Sequence, residues 1–444
     1  MSAAKRGLGY GLRALRAYVL FVICATAAAL GAAYPLAALR LRAARAGWER
    51  SFGPVSEWRA RFPPHGNSPA ALELDRLARP LEVQIVRTAE DRERDLGSGG
   101  GKSARYELLQ EAGRYVTSQE WTPEERIDPP PREVAAFLAE RDASLASVED
   151  LLLAGQTLAW EQDVDLGQAS PLPSLVGHRH LANLLLARAL GAIRAGRWPD
   201  AERTLRAGWV HAVSLQADPQ VISKLITVAL VQMNAGVLRR LPRPSPDWPE
   251  KIPEGEIRRS LLDAYRFEAY SYEVFGGRYV GASDLDTIGG GDLGPSTPGD
   301  RVLRLLTVPW VRFCIAGFSE EMRRQTEELR DQDPCAFDGE KVEARVQQRV
   351  QRWNIIGRMV PPSLLRTWQS AVETDLRLEQ IGLVLAARRR GRGDDDLQPA
   401  SSHVCAQLRW TRRRDASGRM VIAPDPVPFA GPKARDWTIR LPPG

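Results

Sequence analysis

The stretch LANLLLARALGAIRAGRWPDAERTLRAGWVHAVSL, residues 181–215, predicts two antiparallel helices joined by a tight turn near Arg197. Apolar residues recur at intervals of three and four on both sides of the turn, which is the period of a helix that buries one face. Gly196 stands at the end of the first helix, and Ala201, Leu205 and Gly208 follow in the second. The small residues among them would let the two helices approach closely.

The same periodicity recurs along most of the chain, and glycine- and proline-rich breakers separate the segments. Helices are predicted near residues 104–119, 131–154, 178–195, 199–217, 219–241, 254–276, 300–331, 340–358 and 363–390. Asn67-Ser68-Pro69 supplies a helix cap followed by proline, which favours a helix start at this point. We therefore predict a linker over residues 51–66 and a mainly α-helical body over residues 67–390, arranged as an irregular bundle or as a repeat-like helical array.

The hydrophobic period changes after residue 390. Val404, Ala406, Leu408 and Trp410 alternate with other residues, as in a half-buried strand. A turn at 415–418 and short strand candidates at 419–422 and 437–439 follow. Residues 391–444 are therefore predicted to form a linker and a small, hairpin-like β unit.

The helical hairpin at residues 181–215 resembles one unit of the tetratricopeptide-repeat family. Gly196, Ala201, Leu205 and Gly208 are similar to that family's small and large positions, although Arg188-Ala189 replaces its usual Leu-Gly pair. No second copy appears at a 34-residue period. The resemblance implies a scaffold that binds a protein or peptide, and it implies no catalytic residues.

Residues 17–39, AYVLFVICATAAALGAAYPLAAL, contain no charged side chain. A helix of this length spans the roughly 30 Å hydrocarbon core of a bilayer. The alternatives are a cleaved secretory signal, with small residues at Gly31 and Ala33, and a buried soluble helix. We favour a single transmembrane anchor within residues 1–50, because the apolar stretch is longer than the usual core of a signal peptide.

The net charge of +6 is concentrated around this segment. Residues 1–50 hold eight basic residues and one acidic residue, and the other 394 residues hold 53 basic and 54 acidic residues. Nucleic acid is therefore not an expected partner, because phosphate-backbone binding needs a concentrated basic surface on the body. Arginine outnumbers lysine 55 to 6, which is typical of GC-rich bacterial genes.

The basic residues on the two sides of residues 17–39 nearly balance, so the positive-inside rule alone does not fix the orientation. With a single span near the N-terminus, the short basic tail usually stays in the cytoplasm and the long body is translocated. We therefore favour a bacterial inner-membrane protein with a periplasmic body.

Residues 221–241 are also apolar, but Lys224, Arg239 and Arg240 interrupt them and favour a central core helix. A single Cys335–Cys405 bridge is allowed in an oxidising compartment.

The densest group of aromatic residues lies between residues 265 and 279. Tyr265, Tyr272 and Tyr279 repeat at seven and share one helix face. Because aromatic residues are enriched at protein interfaces, we predict that these three tyrosines bind a protein partner. Packing between helices is the alternative role for them.

His180 and His211 are the candidate metal ligands, since the predicted hairpin would place them within about one turn of each other. The segment LGSGGGKS at 96–103 fails the phosphate-loop spacing, because Leu96 stands where the first glycine is required. No motif for a cofactor was found, so none is expected.

Two classes of function remain. The favoured one is a membrane-anchored helical scaffold or adaptor that binds a protein or peptide. The alternative is a membrane-tethered enzyme, such as a metal-assisted hydrolase, whose active site is dispersed along the sequence.

Overall fold

The computed structural model describes residues 3–87, 104–120, 127–242, 245, 256–278, 298–390, 399–416, 418–429 and 437–441. Over these residues the chain is mainly helical with a small antiparallel sheet near the C-terminus, as predicted. In its first half the helices are α1 (Ala3–Phe52), α2 (Val55–Ala60), α3 (Pro69–Ala78), α4 (Ala104–Glu120), α5 (Arg132–Glu140), α6 (Asp142–Leu153), α7 (Leu175–Arg194) and α8 (Trp198–Ser214). The later ones are α9 (Val221–Leu238), α10 (Glu256–Arg278), α11 (Pro298–Asp331), α12 (Gly339–Arg349) and α13 (Ile355–Arg390). Residues 391–398, at the start of the predicted linker and β unit, and the glycine-rich segment at 96–103 lie outside the described residues.

Helix α7 is the centre of the core. Between Leu181 and Leu190 every side chain except Arg188 is buried, as expected of a helix with neighbours on all sides. Helices α4, α8 and α9 pack around it. The turn into α8 depends on Gly196, whose φ of +72° lies in the left-handed region that glycine tolerates without strain.

Helix α9 is one of two described helices that are long and apolar enough to cross a membrane. In its most apolar 18-residue window, 72% of the residues are buried inside the body. This burial agrees with the prediction of a core helix over residues 221–241. The other is α1, whose most apolar window is not buried at all.

Helix α1 has two halves with different surroundings. Its apolar half is exposed to solvent at Phe21, Leu36 and Leu39, among other residues. Its C-terminal half is packed into the body, where Ala44 and Trp48 are at most 3% exposed. One unbroken helix therefore joins the candidate membrane span to the folded core.

Helices α1 and α11 pack side by side and run in the same direction. Tyr34 and Leu41 contact the Val308–Ile315 region, and Ser51 further along α1 bonds to Glu327. At a level between these two contacts, the indole Nε1 of Trp48 on α1 donates to the carbonyl of Ser319 on α11 at 3.0 Å and to its hydroxyl at 3.1 Å.

The stretch predicted as a linker, residues 51–66, has regular structure. It contains α2, and Trp58 within α2 is 1% exposed and packs against Phe267 and Tyr270 of α10. His65 then pairs with Gln162 through two backbone hydrogen bonds. Proline and glycine in this stretch end helices, but they do not detach it from the body.

The four strands are β1 (Ala400–Ser401), β2 (Arg409–Arg414), β3 (Met420–Asp425) and β4 (Ile439–Arg440), and they form an antiparallel sheet in that order. The predicted turn at 415–418 connects β2 to β3, which pair with Arg412 opposite Ile422. Glu379 of α13 fixes the sheet to the helices, because its Oε2 accepts from the Ser402 hydroxyl at 2.6 Å and from the Trp410 indole at 2.8 Å.

A disulfide between Cys335 and Cys405 connects the α11–α12 segment to the C-terminal unit. Their Cα atoms are 5.5 Å apart and 70 residues separate them along the chain. The bridge therefore fixes the β unit to the body at a second point, in addition to the contacts of α13.

Candidate functional site

A pocket of about 220 Å³ opens where α1 leaves its exposed apolar half and enters the body. Six of the described residues line it, and we call it the arginine pocket: Ala38, Leu41, Arg42, Arg45, Glu273 and Arg312. Helix α1 contributes the first four, α10 contributes the glutamate, and α11 contributes the last arginine. The parallel packing of α1 on α11 brings these three elements together.

Glu273 is the most deeply buried charged group of the pocket, at 6% exposed. It accepts a hydrogen bond from the Ser319 hydroxyl at 2.8 Å and pairs with the Nε of Arg45 at 3.3 Å. Burial raises the pKa of this carboxyl, while Ser319 and Arg45 act in the opposite direction. Both partners favour the ionised carboxylate, so Glu273 is satisfied inside the protein.

The described lining of the arginine pocket is rich in guanidinium groups. It includes those of Arg42, Arg45 and Arg312, and the carboxylate of Glu273, which pairs with Arg45. Arg42 is exposed and Arg312 is partly buried. Guanidinium groups suit phosphate and carboxylate because their donors match two oxygens at once.

Exposed tryptophans flank this end of the body. Trp310, two residues before Arg312, is 41% exposed. Trp353 is 43% exposed, and its carbonyl lies 4.0 Å from the sulfur of Cys314, one turn after Trp310 on α11. Tryptophan with one face in solvent and a nearby apolar surface is typical of a membrane–water interface.

The sequence contains a weak signal for this pocket. Arg42 and Arg45 belong to the basic residues that flank the apolar segment 17–39, and Arg312 interrupts an apolar run at 305–318. An isolated arginine in an apolar run is itself a signal of function, but its position beside α1 depends on long-range packing.

Of the three predicted tyrosines, the structure describes Tyr265 and Tyr272, and both pack between helices. Tyr265 is 1% exposed, and its hydroxyl donates to the Leu364 carbonyl, so it belongs to the core and cannot contact a partner. Tyr272 is partly buried and packs edge-on against Phe318, with ring centroids 4.8 Å apart. Tyr279 lies outside the described residues. For the first two, packing between helices is the correct interpretation.

The predicted pair of His180 and His211 is also absent, and His178 takes the place of His180. Nδ1 of His178 lies 2.9 Å from Nε2 of His211, and the two rings are stacked. His180 points toward α4, where its Nε2 lies 3.2 Å from the Gln110 amide. Two residues turn a helix by about 200°, so His178 and His180 face opposite neighbours.

The two paired histidines lie entirely inside the protein. Burial lowers the pKa of His211 to about 4 and lowers the pKa of His178 well below its usual value. The remaining ring nitrogen of each is buried without a hydrogen-bond partner among the described residues. This pair has two imidazoles and no third ligand in the described residues, so it does not form a complete metal site.

Two other groups of reactive side chains have structural partners. Lys224 is 3% exposed, and its ammonium donates to the Gln216 carbonyl, while burial lowers its pKa to about 8. Asp333, Cys335 and Cys405 bring potential metal ligands within 4.8 Å of one another. The two sulfur atoms are joined in the disulfide, which removes them as ligands.

Comparison of the chain with protein-family models, with curated proteins and with solved structures finds no match to any of them.

Proposed function

We propose that this protein is a membrane-anchored helical scaffold that binds a protein or peptide partner. Its helix α1 would cross the bacterial inner membrane with residues 17–39 and hold the body at the surface. The observation that carries the proposal is the continuity of α1, which is exposed and apolar at Phe21 and Leu36 and buried in the core at Trp48. The body would then be connected to the membrane span by one continuous helix, which contains Pro35.

The Cys335–Cys405 disulfide supports an extracytoplasmic body. Disulfides persist in the bacterial periplasm and are rare in the cytosol, where thiols are kept reduced. A short basic tail before residue 17 fits the same orientation, because it would remain inside while the body is translocated.

Reporter fusions test the side of the membrane. Alkaline phosphatase placed after Gly444 should be active, since it folds only where disulfides form, and a fluorescent protein at the same place should be dark when it is exported through the general secretory route. A bright fluorescent fusion with an inactive phosphatase fusion would put the body in the cytoplasm and contradict the proposal.

Photocrosslinking in intact cells tests partner binding. A photoreactive amino acid replaces one of three apolar residues that are exposed on different helices or loops, Leu72, Ile222 and Trp353. We expect at least one position to give a discrete adduct of higher mass, and mass spectrometry then identifies the partner. The same amino acid at Leu74, which is fully buried on the same helix as Leu72, should give none.

A scaffold with one docking surface should give a discrete adduct at the positions that lie on this surface. If all three positions give no adduct, or if Leu74 gives the same adducts as they do, the scaffold proposal is wrong.

A further inference from the structure

Three donor groups meet where the C-terminal β unit joins the helical body. They are the carboxylate of Asp333 and the sulfur atoms of Cys335 and Cys405, and their potential ligand atoms all lie within 4.8 Å of one another. Asp333 and Cys335 belong to the segment between α11 and α12, and Cys405 lies between β1 and β2. Reduction of the disulfide would leave two thiols beside a carboxylate.

Each cysteine is also held by contacts other than the bridge. The Asp333 carboxylate accepts a hydrogen bond from the backbone N–H of Cys335 at 3.0 Å. On the other side, the Ser402 hydroxyl accepts from the backbone N–H of Cys405 at 3.2 Å and donates to Glu379 of α13 at 2.6 Å. These bonds do not involve sulfur, so we expect the three donors to stay together when the bridge is reduced.

The conversion of the bridge into a pair of metal ligands is ordinary thiol chemistry. A dithiol reductant supplies two electrons and two protons, the S–S bond breaks, two protein thiols form, and the reductant becomes a disulfide. A metal ion that binds the two sulfur atoms then displaces their protons into solvent, because the thiolate is the ligand.

The donor set fits zinc in type and in spacing. Thiolate and carboxylate are both zinc ligands, at about 2.3 Å and about 2.0–2.2 Å from the ion. Two thiolates on one tetrahedral ion lie about 3.8 Å apart. Rotation of the cysteine side chains allows this separation, since the Cα atoms of Cys335 and Cys405 are 5.5 Å apart.

Asp333 can serve as the third ligand without losing its backbone hydrogen bond. A carboxylate has two oxygen atoms with several lone pairs, so it can accept from the Cys335 N–H and bind a cation at the same time. Three protein ligands leave the fourth tetrahedral position of the ion to water.

We propose that in the reduced chain Asp333, Cys335 and Cys405 bind one zinc ion, which holds the β unit to the body in place of the disulfide. The connection would then exist in both redox states, through sulfur alone or through the metal. This inference goes beyond the proposed scaffold function and does not depend on the anchoring of α1.

The test uses the full-length chain in detergent, freed of metal and reduced with a phosphine, since a thiol reductant would compete for the ion. Cobalt(II) is the probe, because its coordination by thiolate gives a charge-transfer absorption in the near ultraviolet. We expect one cobalt ion per reduced chain, displaced by one equivalent of zinc, and none in the oxidised chain. Reduced wild type without this absorption would overturn the inference.

Variants of the cysteines locate the ion. Cys335→Ser/Cys405→Ser should lose the absorption, and it is a fair comparison because the reduced wild type also has no bridge. Cys314→Ser, which removes a buried cysteine outside the cluster, should keep it. Absorption that persists in the double variant or disappears in Cys314→Ser would place the ion elsewhere and refute the site.

The carboxylate is tested by Asp333→Asn, whose amide oxygen can still accept the backbone hydrogen bond. Its zinc affinity should fall by at least about 10-fold, since changes to the outer-shell partners of a metal already cost 10- to 100-fold. The matched control, Asp331→Asn, changes an exposed acid two residues away and should bind zinc as the wild type does. Equal affinities in the two variants would exclude Asp333 as a ligand.

The melting temperature tests the structural role of the ion. One equivalent of zinc should raise the melting temperature of the reduced wild type, because an ion that binds only the folded chain stabilises it. It should not change that of the oxidised chain or of Cys335→Ser/Cys405→Ser. If the reduced wild type shows no increase, the ion does not replace the bridge; none of these results bears on the reporter fusions or on photocrosslinking.

Discussion

Gly177 and Gly191 lie on the same helix, α7, in very different surroundings. A Cβ atom at Gly177 would lie 1.8 Å from the Gln84 carbonyl oxygen, which is backbone and cannot rotate away. Nothing lies within 4 Å of a Cβ atom at Gly191. We expect Gly177→Ala to destabilise the body by several kcal/mol through overpacking, and Gly191→Ala to stabilise it by about 1 kcal/mol through helix propensity.

Thermal unfolding of the two purified variants in detergent measures this difference. The melting temperature should fall for the first variant and stay equal or rise for the second. Equal melting temperatures would show that α7 does not approach the Gln84 backbone as described.

The buried pair of His178 and His211 makes stability depend on pH. An unfolded histidine has a pKa of about 6.5, whereas burial lowers the pKa of folded His211 to about 4. Below pH 6.5 the histidines of the unfolded chain bind protons, whereas the buried histidines of the folded chain stay neutral. Their contribution to the free energy of unfolding is therefore fully present above pH 6.5 and is lost as the pH falls toward 4. Between pH 7 and pH 5 the loss is about 2 kcal/mol for each such histidine.

In His211→Gln this pH dependence should therefore be smaller than in the wild type. The readout is the difference in melting temperature between pH 7 and pH 5. The control is His403→Gln, which changes an exposed histidine and should retain the wild-type difference. If His211→Gln behaves like the control, the buried pair does not cause the pH dependence.

At the scale of elements, the two halves of α1 have separate roles. Trp48 is 3% exposed and donates to Ser319 on α11, whereas Phe21 is 70% exposed. Trp48→Ala should lower the stability of the body by about 3–5 kcal/mol, because it leaves a cavity and removes the hydrogen bonds from the indole to Ser319. Phe21→Ala should change it by less than about 0.5 kcal/mol.

Melting curves of both variants in the same detergent provide the comparison. A large loss of stability in Phe21→Ala would mean that the apolar half of α1 packs on the body. It would then not be available to the membrane.

Local patterns predicted most of the elements but not all of their bounds. The apolar period of residues 181–215 corresponds to α7 and α8, and the turn at 415–418 connects β2 to β3. The predicted helix at 131–154 is two helices, because the chain departs from helical geometry at Arg141. Such a break costs little locally, so hydrophobic periodicity does not reveal it.

The candidate site could not be predicted in the same way, because it depends on contacts between distant residues. Arg45 and Glu273 are 228 residues apart, and Trp48 and Ser319 are 271 apart. The histidine pair was misassigned for a geometric reason, since a shift of two residues selects the opposite face of α7. Tyr265 and Tyr272 pack between helices, because a period of seven also describes a face that packs in the core.

At the scale of the whole molecule, the Cys335–Cys405 bridge closes a loop of 70 residues and connects the β unit to the body. In the loop-entropy model, closure of a loop of this size is worth about 4 kcal/mol. The chain has four cysteines, so protein unfolded without reductant should show two reactive thiols, those of Cys24 and Cys314. Four reactive thiols in protein from the native compartment would place the body in a reducing environment.

Reductant should lower the melting temperature of the wild-type chain. It should have no effect on Cys335→Ser/Cys405→Ser, and Cys314→Ser should respond as the wild type does. If the wild type does not respond either, the bridge does not contribute to stability.

The most direct test of the account is the fate of the chain in carbonate-washed membranes. Alkaline carbonate removes peripheral proteins and leaves spanning helices in the bilayer. If α1 anchors the protein, the washed membranes should retain the full-length chain of 49.2 kDa, and intact mass should show that residues 1–50 are still attached. Release of a shortened soluble body, cleaved near Gly31 or Ala33, would contradict the anchor and identify residues 17–39 as a removed signal.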